Sequence, residues 1–137
     1  MLFPVAIERG DENHAHGVYV PDLPGCFSAG DTWDEALANA REAIEGHLEV
    51  LSDGSEPIPE AGTVEKYADN PDYAGMVWAL VDVDITPYLG RSQKINVTLP
   101  DGLISRIDDL VSRSPAYQSR SGFLAKASMH ELARQGS

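Results

Sequence analysis

The sequence predicts an α+β chain: an N-terminal antiparallel sheet with a packed helix, followed by a smaller strand–helix–helix unit. Three observations carry that expectation. Short β-type runs broken by glycine and proline flank one strongly amphipathic helix; the charge changes sign near residue 90; and a strictly alternating run near residue 95 precedes two helical segments. The 137 residues are 42% hydrophobic and 23% charged, which suits compact folding and not disorder.

Phe3 to Ile7 reads as the first strand, Gly17 to Val20 as the second and Gly25 to Ala29 as the third. Polar turns at Gly10 to Asn13 and at Pro21 to Gly25 separate them, as in a short antiparallel meander. Thr32 and Glu35 then form a capping box, and Asp31, Asp34 and Glu35 favour the positive end of a helix dipole. Behind that cap Trp33, Ala36, Leu37, Ala40, Ile44, Leu48 and Leu51 recur at helical spacing, so one face is core, while Arg41, Glu42, Glu45 and Glu49 face water. The stretch from Ser52 to Gly62 is an exposed loop. Met76 to Asp84 is a strand with Val77, Ala79, Val81 and Val83 on one face.

A single cysteine makes neither an internal disulfide nor a multi-cysteine zinc site, so nothing argues for secretion. Met1 to Ile7 is too short an apolar run for a signal peptide or a membrane span, and the chain reads as cytoplasmic. Asp22, Asp31, Asp34 and Glu35 are oxygen donors of the kind that hold a divalent cation for phosphodiester hydrolysis. Local roles account for them without metal: three belong to the helix cap and Asp22 to a turn. His14 and His16 lie in a polar stretch and read as solvated, and Cys26 as a small buried apolar residue. No catalytic residue, metal ligand or cofactor is therefore expected.

The formal net charge of -12 argues at face value against nucleic acid, but it is an average of unlike parts. Residues 1–90 carry 3 basic and 18 acidic side chains, residues 91–137 carry 7 basic and 4 acidic ones. This asymmetry suggests two units with different partners: residues 1–85, a linker over 86–91, and residues 92–137.

In the basic unit Ser92 to Leu99 alternates strictly, with Lys94, Asn96 and Thr98 on one face and Ile95, Val97 and Leu99 on the other. Pro100-Asp101 opens a helix with Leu103, Ile104, Ile107, Leu110 and Val111 at helical spacing, ended near Ser114-Pro115. A second helix follows Ser119-Arg120-Ser121-Gly122, and Phe123, Leu124, Ala125, Ala127, Met129 and Leu132 cover most of its circumference. One strand and two helices bury too little surface alone, and a lone strand leaves both edges unpaired, so the unit needs a second copy. Two such strands about a twofold axis make a ribbon that fits the DNA major groove, where Lys94, Asn96 and Thr98 would meet base edges. The alternative is that these three form only the wet face of a dimerisation strand.

This pattern resembles the ribbon-helix-helix family of bacterial repressors. The resemblance implies that Ser119, Arg120, Ser121 and Gly122, at the start of the second helix, clamp a DNA phosphate, for which a helix N-terminus has free N–H donors and a favourable dipole. The N-terminal unit, through Val20-Pro21-Asp22-Leu23-Pro24-Gly25-Cys26-Phe27-Ser28-Ala29-Gly30-Asp31-Thr32 and Glu35 to Ala43, resembles the HicB antitoxins of HicAB type II toxin–antitoxin systems. That resemblance implies a partial RNase H-like fold that binds a HicA-like mRNA interferase, and a tail that represses its own operon as a homodimer or higher oligomer. An acidic surface suits a basic, RNA-binding toxin. Asp22, Asp31 and Glu35 are the candidate toxin contacts, although Gly25 and Gly30 also suit turns, so the Pro21 to Thr32 run reads equally as structural. Two other readings stay open: a metal-dependent RNase H-like nuclease using the N-terminal carboxylates, and a repressor without a toxin.

Overall fold

A computed structural model describes residues 1–136, which fall into two compact units, Met1–Gly90 and the residues from Arg91 onward. The first unit is a four-stranded antiparallel sheet in the order β3-β2-β1-β4, with β1 Leu2–Glu8, β2 His16–Tyr19, β3 Phe27–Gly30 and β4 Val77–Asp82. Its long helix, α1 (Trp33–Asp53), lies on one face. A short helix, α2 (Val64–Tyr67), and a 3-10 turn at Pro71–Tyr73 lead into β4, and a second 3-10 turn at Thr86–Tyr88 closes the unit. Residues 86–90, expected as linker, therefore belong to the first unit.

The core follows from the phase of β1. Phe3, Val5 and Ile7 pair with Val81, Ala79 and Val77 on one side, and Ile7 with Val18 on the other, so these side chains share one face. Phe3, Val5, Ile7 and Val18 are buried there against Ala36, Ala40, Ile44 and Leu48 of α1, and each large side chain so buried contributes about 1.5–3 kcal/mol. Thr32 caps the helix as expected, the Glu35 N–H donating to its Oγ1 at 3.1 Å, but the Glu35 side chain does not return the second bond of a capping box. It can approach the sheet because residue 30 is glycine; a Cβ there would stand 2.4 Å from the Ala36 nitrogen.

Central strands rarely hold proline, yet Pro4 sits in β1. The Met1 amine donates to the Val83 carbonyl at 2.8 Å and the Val83 N–H to the Met1 carbonyl at 2.9 Å, so odd-numbered β1 residues bond β4 and even-numbered ones point toward β2. The β1–β2 pairing ends at Ala6 and Tyr19. The Pro4 nitrogen thus points past the end of β2, and no ladder bond is lost.

On the opposite face Trp78 stacks on Tyr67 at 6.5 Å and meets Tyr73 edge-on at 5.5 Å. Asp22, in the turn after β2, latches this segment: one carboxylate oxygen accepts the Gly62 N–H at 2.8 Å and the other accepts the Tyr67 hydroxyl. Gly25 in the same turn has φ +84°, a left-handed conformation, so β3 starts at Phe27 and not at Gly25 as expected. The strand ends are otherwise within two residues of expectation.

The second unit has two helices, α3 (Asp101–Arg113) and α4 (Arg120–Gly136). Residues 91–100 before them form neither helix nor ladder. The expected strand over residues 92–99 has no pairing partner within one chain.

Two outcomes follow. Gly30→Ala should lower stability by about 1–3 kcal/mol through collision with the α1 backbone, measured as a lower urea midpoint at unchanged slope. Burial first, and then its bond to the Asp22 carboxylate, push the Tyr67 phenol up to about 12. Because the folded value lies above the unfolded one, this contribution is complete below about pH 10 and is lost as pH rises toward 12. Phenolate absorbance of wild type minus Tyr67→Phe should show that late titration, and Asp22→Asn should move it down.

Candidate functional site

Of the three carboxylates expected to meet a protein partner, only two stand free. Asp31 and Glu35 are exposed at the start of α1, where the Glu35 side chain keeps no bond of its own beyond the cap made by its backbone. Asp22 is half-buried with both oxygens engaged by Gly62 and Tyr67. Its place in the Pro21 to Thr32 run is structural, and a contact between residues 40 and 45 positions apart leaves no local pattern in the sequence.

Of the two histidines expected in water, only His14 is there. His14 is exposed and bonded through Nδ1 to Asp11 at 2.9 Å, whereas His16 lies half-buried in β2. Its Nδ1 accepts the Gly10 N–H at 2.9 Å and its ring stacks on Trp33 at 4.9 Å. Cys26 is buried, and burial pushes its thiol up, which suppresses the reactive thiolate. Among the described residues no three histidine, cysteine, aspartate or glutamate side chains converge to hold a metal ion. Nor is any helix of those residues long and apolar enough to cross a membrane.

In the second unit Lys94, Asn96 and Thr98 are all exposed, as are Ile95 (77%) and Val97 (58%). The alternation is therefore present without either face being covered. Of the apolar residues of the helices only Ile107 is buried; Ile104, Leu110, Val111, Phe123, Leu124 and Met129 are partly exposed, and Leu103 and Leu132 are exposed. A cleft lined by Arg106, Ile107, Leu110, Arg113 and Phe123 opens between α3 and α4.

Three of the four residues expected to hold a phosphate at the start of α4, Ser119, Arg120 and Gly122, have intrachain roles that the sequence did not show. Ser119 is the cap: its Oγ accepts the Gly122 N–H at 3.0 Å and its carbonyl accepts the Phe123 N–H at 3.0 Å. Arg120 forks onto the Asp108 carboxylate of α3 at 3.0 and 2.8 Å, which holds that carboxyl below its ordinary value. The N–H groups of Arg120 and Ser121 lie in the first turn, ahead of any intrahelical acceptor, and face outward from the helix end. Lys126 donates to the Ala116 carbonyl at 2.9 Å and lies over the Tyr117 ring, closing the α3–α4 turn.

Known proteins match this chain over nearly its whole length. The family described as the HicB-like antitoxin of bacterial toxin–antitoxin systems matches residues 3–128. A 14.9 kDa protein of the rep-hol intergenic region of Haemophilus phage HP1 is 42% identical over 132 residues, covering 96% of this chain and 98% of the phage protein. Among solved structures, the Burkholderia pseudomallei antitoxin HicB is 43% identical with a TM-score of 0.67, covering 96% of this chain and 98% of that one. A chain of the HicA3 and HicB3 toxin–antitoxin complex is 32% identical with a TM-score of 0.52, covering 61% of this chain and 99% of its own. An acidic sheet-and-helix unit with the Pro21 to Thr32 turn, joined to a basic two-helix unit, thus finds its counterpart in antitoxins, and the chain belongs to the HicB-like antitoxin family.

Proposed function

We propose that this protein neutralises a HicA-like mRNA interferase toxin through residues 1–90 and, as a dimer, represses its own operon through the residues from Arg91 onward. A relative is known in complex with a HicA toxin. The excess of 18 acidic over 3 basic side chains in residues 1–90 would speed encounter with a basic, RNA-binding partner and favour it over acidic ones. Asp31 and Glu35 are free to take part; Asp22 acts through the loop it latches.

The observation that carries the repressor reading is the bare alternating segment before α3. Ile95 and Val97 stand in water on one face, and Leu103 and Leu132 of the helices in the same unit are exposed as well. A second copy removes all these exposures at once, as a two-stranded ribbon packed on four helices. Lys94, Asn96 and Thr98 then face outward together with their mates, in reach of base edges in a major groove. The Arg120 and Ser121 N–H groups would receive a phosphate at the start of α4. Arg120 itself positions α4 against α3 through Asp108. Each task takes place in the cytoplasm, where operon and transcript lie, and none requires a cofactor or catalysis.

Co-expression with the neighbouring toxin gene should restore growth and copurify both proteins; growth arrest despite expression of both would refute the antitoxin role. Lys94→Ala or Asn96→Ala should each weaken operator binding by about 1–3 kcal/mol per contact without changing the mass of the protein in solution or its rescue of growth. Operator affinity should also fall by roughly three orders of magnitude from roughly 50 to 200 mM salt if about six phosphates are neutralised.

A further inference from the structure

The two outer edges of the sheet are treated differently. β3 is only four residues long, and its outward Ala29 carbonyl is occupied by the Asn39 side chain at 2.8 Å. That is how soluble proteins blunt an edge. β4 has no such cover. Since Phe3, Val5 and Ile7 face it with their ladder bonds, the N–H and C=O groups of Trp78, Leu80 and Asp82 all point away from β1. The strand offers three consecutive outward positions, no proline or lysine interrupts it, and Leu80 at its centre is 53% exposed. Alongside runs a groove to α1, bounded by Leu37, Arg41, Glu42, Glu45 and Leu80.

We propose that this edge receives an extended strand from a basic protein, which continues the sheet beyond β4. Main-chain bonds to Trp78, Leu80 and Asp82 hold the strand, Leu80 gives it an apolar contact on the face away from α1, and Glu42 and Glu45 on the α1 face meet its cations, while the Asp82 carboxylate is held by the Met1 amine. Charge decides between occupants. A second copy would bring an equally acidic unit against this one, whereas a cationic strand is drawn in. The inference rests on the antitoxin reading and deepens it: the strand belongs to the toxin.

Leu80→Pro tests this without undoing the fold, because the Leu80 nitrogen points away from β1 and proline there removes an outward donor and no ladder bond. The probe is the adjacent HicA-type toxin in a catalytically inactive form, titrated against the full chain. Its affinity should fall about thirtyfold for Leu80→Pro and remain unchanged for Ala29→Pro, which alters the other edge in the same way. Amide exchange gives the second readout. In the complex Trp78, Leu80 and Asp82 N–H groups should become protected, joining Val77, Ala79 and Val81, which the ladder already protects. Equal affinities for the two proline variants, with no new protection in β4, overturn the edge assignment and leave the antitoxin function standing. A wild-type chain that does not bind the toxin at all overturns both. If Leu80→Pro instead halves the solution mass of the free protein, the edge is filled by a second copy and the proposal is wrong.

Discussion

The first unit is built around the register of one strand. β1 is bonded on both sides and buried on both faces, and every other strand takes its phase from it. Because a strand repeats every two residues, fixing Met1 opposite Val83 decides in one step which side chains face α1, which groups bond β2, and which are left at the far side of β4. Pro4 is tolerated for the same reason, its nitrogen pointing where β2 has already ended. A slip of one residue would turn Phe3, Val5 and Ile7 away from α1, aim the proline elsewhere and break the amine's bond to Val83.

What the sequence made legible was what physical chemistry writes locally. The Thr32 to Glu35 cap located the start of α1 to the residue, because its donor and acceptor lie three positions apart. The period of four in Ala36, Ala40, Ile44 and Leu48 identified the buried stripe, and alternation identified the face of β4. Features that join distant parts of the chain were not legible. Asp22 looked like a free turn carboxylate because nothing near it betrays Gly62 or Tyr67, and the engagement of the Arg120 guanidinium by Asp108 was equally hidden because that carboxylate sits a helix away. Gly25 was assigned to a strand since glycine alone does not reveal the sign of φ. The helical content of residues 64–73 left only weak marks, Thr63 and Asn70 as caps of elements too short to show a period.

The two units solve opposite problems. The first completes its core within one chain and is left with charge to present; the second has too few residues to complete a core and is left with apolar surface. In the proposed function each incompleteness would be met by a partner, one of opposite charge for the first unit and an identical copy for the second. The Arg120–Asp108 fork and the Lys126 bond to Ala116 keep α3 and α4 arranged while that apolar surface is still open. Both lie at the solvent, where such pairs add little to stability, so their value is in geometry.

The bare margin of β4 also bears on how the protein waits. A hydrophobic edge without lysine or proline is a template for stacking chain on chain, and most soluble proteins block it sterically. In the proposed arrangement the carboxylates along α1 would do the blocking from a distance, each copy holding others off by repulsion while the strand stays open to a partner of the other sign. The guard is thus electrical and reversible. Salt that screens these carboxylates would weaken it and leave the edge open to sheet-wise pairing between copies.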